Sequence, residues 1–138
     1  MPEYNSLKGR QVRDAMRVGV ATCAPDTPLP QATQQMIDLG LRSLAVIDAT
    51  GRLLGVLGHT EIVDAQLNAD ERRWTRLQAA DLMEREVPTI AQTVSLREAA
   101  DLMTSRQIHR LIVLADADGP PIGVLSMTDL MRFVVGSD

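Results

Sequence analysis

The residues of this chain best suited to polar chemistry lie where a short apolar strand meets a helix, at Ser126 and Asp129. The preceding run Ile122-Gly123-Val124-Leu125 fits a buried strand, and a helical pattern begins at Ser126 and continues towards Phe133. The first turn of a helix has N–H groups without intrahelical partners, so a hydroxyl and a carboxylate placed there face the same small region. This junction is therefore the first candidate for a binding site.

The same construction occurs earlier in the chain, where Leu54 to Leu57 leads into Gly58-His59-Thr60-Glu61-Ile62. Two series of matching residues surround the two junctions. The first series is 67 positions apart: Asp14 and Asp81, Met16 and Met83, Val20 and Val87, Thr22 and Thr89, Leu29 and Leu96, Ala32 and Ala99, Met36 and Met103, Leu44 and Leu111, Val46 and Val113. The second series is 68 positions apart, after one insertion in a turn: Gly51 and Gly119, Gly55 and Gly123, Val56 and Val124, Leu57 and Leu125, Thr60 and Thr128. An ordered series of this kind indicates an internal repeat.

The residue pattern of each copy predicts a strand, a helix, two strands joined as a hairpin, and a second helix, in that order. In the first copy, Val18 to Cys23 predicts one short strand, and Thr27-Pro28 predicts a helix start whose helix ends at Gly40. In the second copy, Ser95 to Glu98 predicts a capping box. The segment from Ala69 to Arg76 is charged and is interpreted as a connection with helical potential.

We therefore predict an α+β fold of two pseudo-symmetric β-α-β-β-α repeats. The predicted boundaries are 11–68 for the first repeat, 69–79 for the connecting segment and 80–136 for the second repeat. Each three-stranded sheet has more apolar surface than two helices cover. The expectation is that the copies pack through their sheets and leave a cleft along a pseudo-twofold axis.

Composition narrows the class of protein. The chain has 138 residues, 45% hydrophobic and 23% charged, which is typical of a soluble globular protein, and no apolar run is long enough to cross a membrane. No signal-peptide pattern opens the sequence, and Cys23 is the single cysteine, so a reducing, cytoplasmic location is expected. The net charge of −4 and three aromatic residues make nucleic-acid binding an unfavourable interpretation.

The repeat resembles a known family. The pattern G-V-L-S-M-T-D-L at Gly123 to Leu130, together with Ile108 to Val113 and Val87 to Ile90, is similar to a CBS (cystathionine β-synthase) domain. Two copies in tandem resemble the CBS pair, or Bateman module, over nearly the whole chain. The resemblance implies a sensor of adenosyl ligands such as AMP, ADP, ATP or S-adenosylmethionine, bound in the cleft between the copies. It also implies a homodimer.

The resemblance assigns site residues to the second repeat, which is the favoured site. Ser126 and Asp129 correspond to the family element that faces the ribose, where an ionised carboxylate can accept hydrogen bonds from two adjacent hydroxyls. The positions that wall the base or face phosphate are Val87, Thr89, Ile108, His109 and Arg110, with the last two on the phosphate side. Arginine suits phosphate because its planar guanidinium can donate two charge-assisted hydrogen bonds.

The first repeat departs from the pattern. Gly58 has no hydroxyl where Ser126 has one, and Glu61 is one methylene longer than Asp129. Its candidate ligand-binding residues are Val20, Thr22, Arg42, Thr60 and Glu61. This second site is predicted to be empty, altered in preference or structural.

Structural roles remain open for the same residues. Ser126 and Asp129 alone form a capping-box pattern, and with the repeat both roles can hold. His109 and Arg110 also fit solvated residues at a strand entrance, and Thr89 fits a β-prone residue.

Catalysis finds little support in the sequence. Cys23, His59 and His109 are scattered, and no nucleophile triad, H-E-x-x-H or C-x-x-C motif occurs. The prediction is a non-enzymatic regulatory module with no metal and no required cofactor, which binds an adenosyl ligand and signals to an effector protein. The alternative is a ligand-free interaction or dimerisation module whose cleft is vestigial.

Overall fold

The computed structural model describes residues 7–134. Helices and strands follow the chain in this order: α1 (Val12–Ala15), β1 (Arg17–Val18), β2 (Thr22–Cys23), α2 (Leu29–Leu39), β3 (Ser43–Ile47), β4 (Leu53–Gly58), α3 (His59–Asn68), α4 (Glu71–Arg76), α5 (Ala79–Leu82), β5 (Thr89–Ala91), α6 (Leu96–Ser105), β6 (Arg110–Leu114), β7 (Pro121–Ser126) and α7 (Met127–Val134). The predicted α+β class is confirmed. Residues 135 and 136, at the end of the predicted second repeat, lie outside the described residues.

The chain divides into two compact units, and their limits differ from those of the internal repeat. The central unit is Val20–Val87, and the terminal unit combines the segments on either side of it, described for residues 7–19 and 88–134. The predicted repeats, 11–68 and 80–136, were defined by similarity between two parts of the sequence. In the folded chain, α1 and β1 belong to the same compact unit as the strands of the second repeat. Val12 shows why: its side chain is fully buried in the hydrophobic core of the terminal unit.

The central unit contains a three-stranded sheet in the order β2-β3-β4. Strand β2 runs parallel to β3, and β3 pairs antiparallel with β4 in the predicted hairpin. One face of the sheet packs against a core that includes Leu29 and Met36 of α2 and Ile62 of α3. This core also includes Ala79 and Met83, so α5 completes the central unit.

The terminal unit contains a four-stranded sheet in the order β1-β7-β6-β5. Strands β5, β6 and β7 repeat the arrangement of the central unit, with a parallel pair and an antiparallel hairpin. The additional strand is β1, which pairs antiparallel with β7 so that Arg17 lies opposite Val124 and Val18 opposite Gly123. The second repeat therefore supplies three strands, as predicted, and its sheet gains a fourth strand from residues 17–18 of the first repeat, which was not predicted.

The predicted single strand from Val18 to Cys23 is wrong. Its first part belongs to β1 and its last two residues form β2, in different sheets. Gly19 lies between them with a φ of 103°, a conformation that glycine adopts without steric cost and that interrupts an extended strand. Glycine often marks an irregularity in a strand, but Gly19 does not reveal which sheet each side of the run joins.

Helix ends follow the sequence signals closely. Gly40 ends α2 in the left-handed conformation with a φ of 65°, as predicted. Helix α2 begins at Leu29, one position later than predicted, because Pro28 is the N-cap residue and not the first helical residue. The Ser95 hydroxyl accepts a hydrogen bond from the Glu98 N–H at 3.1 Å and so caps α6. The connecting segment contains α4, which Asp70 caps by accepting a hydrogen bond from the Arg73 N–H at 2.8 Å.

Candidate functional site

The strand-to-helix junction of the terminal unit holds Asp129 in a fixed position. Strand β7 ends at Ser126, and Asp129 is the third residue of α7. The Ser126 N–H and the Ser126 hydroxyl donate to Asp129 Oδ2, at 2.9 Å and 2.8 Å. The Asp129 N–H in turn donates to Ser126 Oγ at 3.2 Å. This reciprocal arrangement is a capping box, and it confirms the structural role predicted for the two residues.

The second oxygen of the same carboxylate faces two arginines. Arg17 Nε lies 3.4 Å from Asp129 Oδ1, and Arg132 Nη1 lies 3.5 Å from it. Both distances are long, since a charge-assisted hydrogen bond to a carboxylate typically measures about 2.7–2.9 Å. The Asp129 side chain is only 1% exposed, whereas the two arginine side chains are 67% and 58% exposed. Asp129 is thus a buried carboxylate with one oxygen firmly bonded and the other held loosely.

Arg110 is brought next to this junction by the hairpin of β6 and β7. It pairs directly with Ser126, and side chains at paired positions of an antiparallel ladder lie on the same face of the sheet. The Arg110 side chain is exposed, as is that of His109. The backbone of His109 is also used at the junction, because its carbonyl accepts a hydrogen bond from the Met127 N–H at 3.0 Å.

The apolar and threonine candidates of the favoured site are more dispersed. Thr89 is the first residue of β5 and pairs with Ile112, while Ile108 packs against the hydrophobic core of the terminal unit. Val87 precedes β5 and is the last residue of the central unit. Within the terminal unit, the structure therefore brings Ser126, Asp129 and Arg110 together.

The candidates of the first repeat all belong to the central unit. Thr22 lies on β2 and pairs with Ala45, and Val20 precedes that strand. Arg42 is exposed, and its carbonyl accepts a hydrogen bond from the His59 N–H at 2.9 Å, as His109 does for Met127. Thr60 is exposed in the first turn of α3.

Glu61 replaces the aspartate of the terminal unit and folds back towards Gly58. Its Oε2 would lie 2.9 Å from a Cβ added at Gly58, so the carboxylate occupies space that a serine side chain would need. Glycine offers no hydroxyl to this carboxylate. The first repeat therefore has a carboxylate near the start of α3 without the reciprocal serine contacts.

Two residues at Asp129 were missed by the sequence analysis. Arg132 follows Asp129 by three positions in α7, and helical spacing alone could have indicated their proximity. Arg17 is 112 positions away in the chain, and only the pairing of β1 with β7 brings it to the carboxylate. No local signal in the sequence points to that contact.

Two titratable groups away from this junction have shifted pKa values. Burial raises the pKa of the Cys23 thiol, although a hydrogen bond with the Thr27 side chain opposes the shift. A hydrogen bond from the Thr50 hydroxyl and backbone donors from Arg52 and Thr50 lower the pKa of Asp48. The raised pKa of Cys23 favours the neutral thiol over the reactive thiolate.

Within residues 7–134, no group of three or more histidine, cysteine, aspartate or glutamate side chains is arranged to hold a metal ion. Over the same residues, none of the helices combines the length and the apolar character needed to span a bilayer.

Comparison with known proteins gives consistent results. The model of the CBS domain matches the chain twice, at residues 12–68 and 79–136. The chain is 31% identical to arabinose 5-phosphate isomerase KdsD of Pseudomonas aeruginosa over 88% of its own length and 37% of that enzyme. It is 25% identical to inosine-5'-monophosphate dehydrogenase of Methanocaldococcus jannaschii over 82% of its length and 21% of that enzyme. Three further relatives are matched over 25%, 63% and 63% of their lengths, so the chain spans only part of these curated relatives.

Solved structures share the fold over almost all of the chain. CBSX2 in complex with AMP is 26% identical, with a TM-score of 0.72 over 90% of this chain and 95% of that one. A CBS domain-containing protein of Bacillus anthracis is 18% identical, with a TM-score of 0.81 over 96% and 97%. The chain therefore belongs to the CBS domain family and carries two CBS domains in tandem, which make up a regulatory module.

Proposed function

We propose that this CBS pair binds an adenine nucleotide or another adenosyl ligand, such as AMP, ADP, ATP or S-adenosylmethionine, at Asp129. The observation that carries the proposal is the unequal use of the two carboxylate oxygens. Oδ2 accepts two short hydrogen bonds from Ser126, whereas Oδ1 has only the long contacts with arginines. Oδ1 is therefore the acceptor for ribose hydroxyls.

Ser126 contributes by holding the carboxylate. Its hydroxyl donates to Asp129 and accepts from the Asp129 N–H, so its donor and one of its acceptor sites are already used. A carboxylate fixed in this way loses little conformational freedom when a ligand binds, which favours affinity. Ser126 thus acts mainly by orienting Asp129, and the direct ribose contact is assigned to Asp129.

The other candidate residues fit the remaining parts of the ligand. Arg110, next to Ser126 across the hairpin, and the neighbouring His109 are proposed to face phosphate. Thr89, Ile108 and Val87 are proposed to contact the base. The similarity to CBSX2, whose structure contains AMP, supports a nucleotide as the ligand class.

A second site in the first repeat is proposed to be weaker or empty. Its candidate residues are Val20, Thr22, Arg42, Thr60 and Glu61. The Glu61 carboxylate has no serine hydroxyl to orient it, and it already fills the space beside Gly58. The ligand and the signal to an effector protein are therefore assigned to Asp129 and its surroundings.

Calorimetric titration with AMP, ADP, ATP, S-adenosylmethionine and NAD tests the proposal. At least one adenosyl compound should bind the unaltered protein, and Asp129→Asn should weaken that binding by at least about tenfold, because an amide replaces the anionic acceptor. Glu61→Gln is the matched control and should change the affinity less than twofold. Circular dichroism of each variant checks that it is folded. Equal losses in both variants would contradict the assignment to Asp129.

The alternative function is a ligand-free interaction or dimerisation module, and exposed apolar side chains favour it. Val63 and Leu67 on α3 are 57% and 78% exposed, and Met131 and Val134 on α7 are 61% and 51% exposed. Such residues suit contacts with another protein chain. The homodimer suggested by the family and the contact with an effector are both proposed to use these helices.

Absence of binding to every compound, combined with a stable dimer in light scattering, would support this alternative.

We further propose a cytoplasmic location, since the one cysteine is a buried thiol that needs no oxidising compartment.

A further inference from the structure

The contact between Arg17 and Asp129 gives the proposed site a positive charge that the other copy lacks, because the residue 67 positions after Arg17 is Glu84. Arg17 lies on β1, the edge strand of the terminal unit, and β1 is fixed to β7 by its register and by the Gly19 N–H, which donates to the Ile122 carbonyl at 2.8 Å. The position of the Arg17 backbone is therefore well determined. Its side chain is 67% exposed, and its Nε lies 3.4 Å from Asp129 Oδ1.

Arg17 and a ligand hydroxyl need the same oxygen. Asp129 Oδ2 is occupied by the two donors of Ser126, so a diol that binds the carboxylate must use Oδ1, where Nε of Arg17 lies at 3.4 Å. A contact of that length with an exposed guanidinium is weak and easily exchanged. Binding of a diol therefore releases the Arg17 guanidinium from its carboxylate.

The released guanidinium still requires a negative partner beside the buried carboxylate. Arg17 and Arg110 both bring positive charge to this junction, where Asp129 supplies a carboxylate. A phosphate carried by the ligand provides such a partner, and a guanidinium can bind it through two donors. A neutral nucleoside provides none, and S-adenosylmethionine provides only a carboxylate on a molecule whose net charge is positive because of its sulfonium and ammonium groups.

We propose, on the basis of the proposed function, that Arg17 is a specificity-determining residue. When a ligand binds, its guanidinium leaves the Asp129 carboxylate and binds the phosphate of that ligand. The site thereby selects phosphorylated adenosine compounds over adenosine and S-adenosylmethionine. Arg17 competes with every ligand for Oδ1, but its guanidinium gains a phosphate contact only when the ligand is phosphorylated.

The test compares the affinities of AMP and adenosine in three proteins of the full chain. These are the unaltered protein, Arg17→Gln and the control Arg13→Gln, which removes one exposed positive charge from the same segment without a contact to Asp129. In the unaltered protein, AMP should bind at least about tenfold more tightly than adenosine, as expected for one charge-assisted contact. Arg17→Gln should reduce that ratio by about tenfold through weaker AMP binding and unchanged or tighter adenosine binding.

The results of the same titrations distinguish the inference from the proposed function. Arg13→Gln should keep the ratio of the unaltered protein, and Arg17→Lys should recover part of it, since a lysine keeps the charge but not the fork of donors. An unchanged ratio in Arg17→Gln, or an equal loss for both compounds, overturns the role of Arg17 while leaving Asp129 as the ligand site. Failure of the unaltered protein to bind AMP, adenosine and S-adenosylmethionine overturns the proposed function and this inference together.

Discussion

The two strand-to-helix junctions have the same backbone and different side-chain chemistry. In the terminal unit the Met127 N–H donates to the carbonyl of His109 at 3.0 Å, and in the central unit the His59 N–H donates to that of Arg42 at 2.9 Å. Gly58 pairs with Ser43 as Ser126 pairs with Arg110. The two junctions therefore share these backbone contacts, and only the junction of the terminal unit carries a serine and an aspartate.

The two junctions differ by one methylene in the acidic side chain and by one hydroxyl in the residue before the helix. This small difference determines whether the carboxylate is held by hydrogen bonds, as in Asp129, or not, as in Glu61. Asp129 is short enough to accept both donors of Ser126 while it stays in the first turn of α7. Glu61 has an additional rotatable bond and no serine partner, so its carboxylate turns back over Gly58. A ligand that needs a preorganised hydrogen-bond acceptor therefore gains more from Asp129 than from Glu61.

Among the variants that test this comparison, removal of the Asp129 carboxylate should change the free energy of unfolding most. Asp129→Ala leaves the Ser126 donors without their acceptor in a partly buried position, and we expect it to lower the free energy of unfolding by about 2–3 kcal/mol. Glu61→Ala should change it by less than about 0.5 kcal/mol. Urea denaturation of both variants measures the difference, and equal destabilisation would show that the two carboxylates have the same structural role.

Two equivalent glycines allow the neighbouring backbone contacts to be compared. A Cβ added at Gly123 would lie 2.5 Å from the Arg17 carbonyl oxygen, and one added at Gly55 would lie 2.6 Å from that of Glu84. Gly123→Ala should lower the free energy of unfolding by about 1–3 kcal/mol, because the paired strand β1 must move. It should also weaken ligand selection by Arg17.

Gly55→Ala is the matched control for that experiment, since it should cost a similar free energy of unfolding without changing the ratio of AMP to adenosine affinity. Thermal denaturation and the calorimetric ratio together test the pair. A Gly123→Ala protein with full selectivity would show that the position of β1 does not determine where Arg17 acts.

Giving the junction of the central unit the serine and aspartate of the terminal unit should produce a smaller change in the free energy of unfolding. The double variant Gly58→Ser with Glu61→Asp installs a capping box at α3, and we expect it to raise the free energy of unfolding by about 0.5–1 kcal/mol. Gly58→Ser alone should gain less, because the Glu61 carboxylate lies 2.9 Å from the new Cβ and must move. A double-mutant cycle measures this coupling, and strictly additive single effects would contradict it.

The smallest expected effect concerns the hairpin turn of the central unit. Asp48 Oδ1 accepts hydrogen bonds from the Thr50 N–H, the Thr50 hydroxyl and the Arg52 N–H. These contacts lower the pKa of Asp48 below its ordinary value of 3.8. A lowered pKa contributes stability above the unfolded-state value and loses it as the pH falls through the folded-state value.

Asp48→Asn should therefore be slightly less stable than the unaltered protein at pH 7, and the two should converge below about pH 3.8. Urea denaturation midpoints across that range measure the convergence. A difference that stays constant as the pH falls would show that the charge of Asp48 is not the source of the effect.

Much of the fold was predictable because its signals are local. The capping of α6 by Ser95 and the end of α2 at Gly40 each depend on residues within about one helical turn. The Ser126 and Asp129 contacts are equally local, three positions apart. The split between β1 and β2 was not predicted, because Gly19 indicates at most a local irregularity and does not show that the two sides of the run join different sheets.

The sequence by itself determined the duplicated α+β design, the positions of most helices and strands, and the capping pair at the start of α7. The tertiary structure alone decided that β1 joins the sheet of the second repeat, that Val12 belongs to the same core, and that Arg17 meets Asp129. The physical reason is the separation along the chain. Contacts within one turn follow from backbone geometry, whereas a contact between residues 112 positions apart exists only once the strands between them have paired.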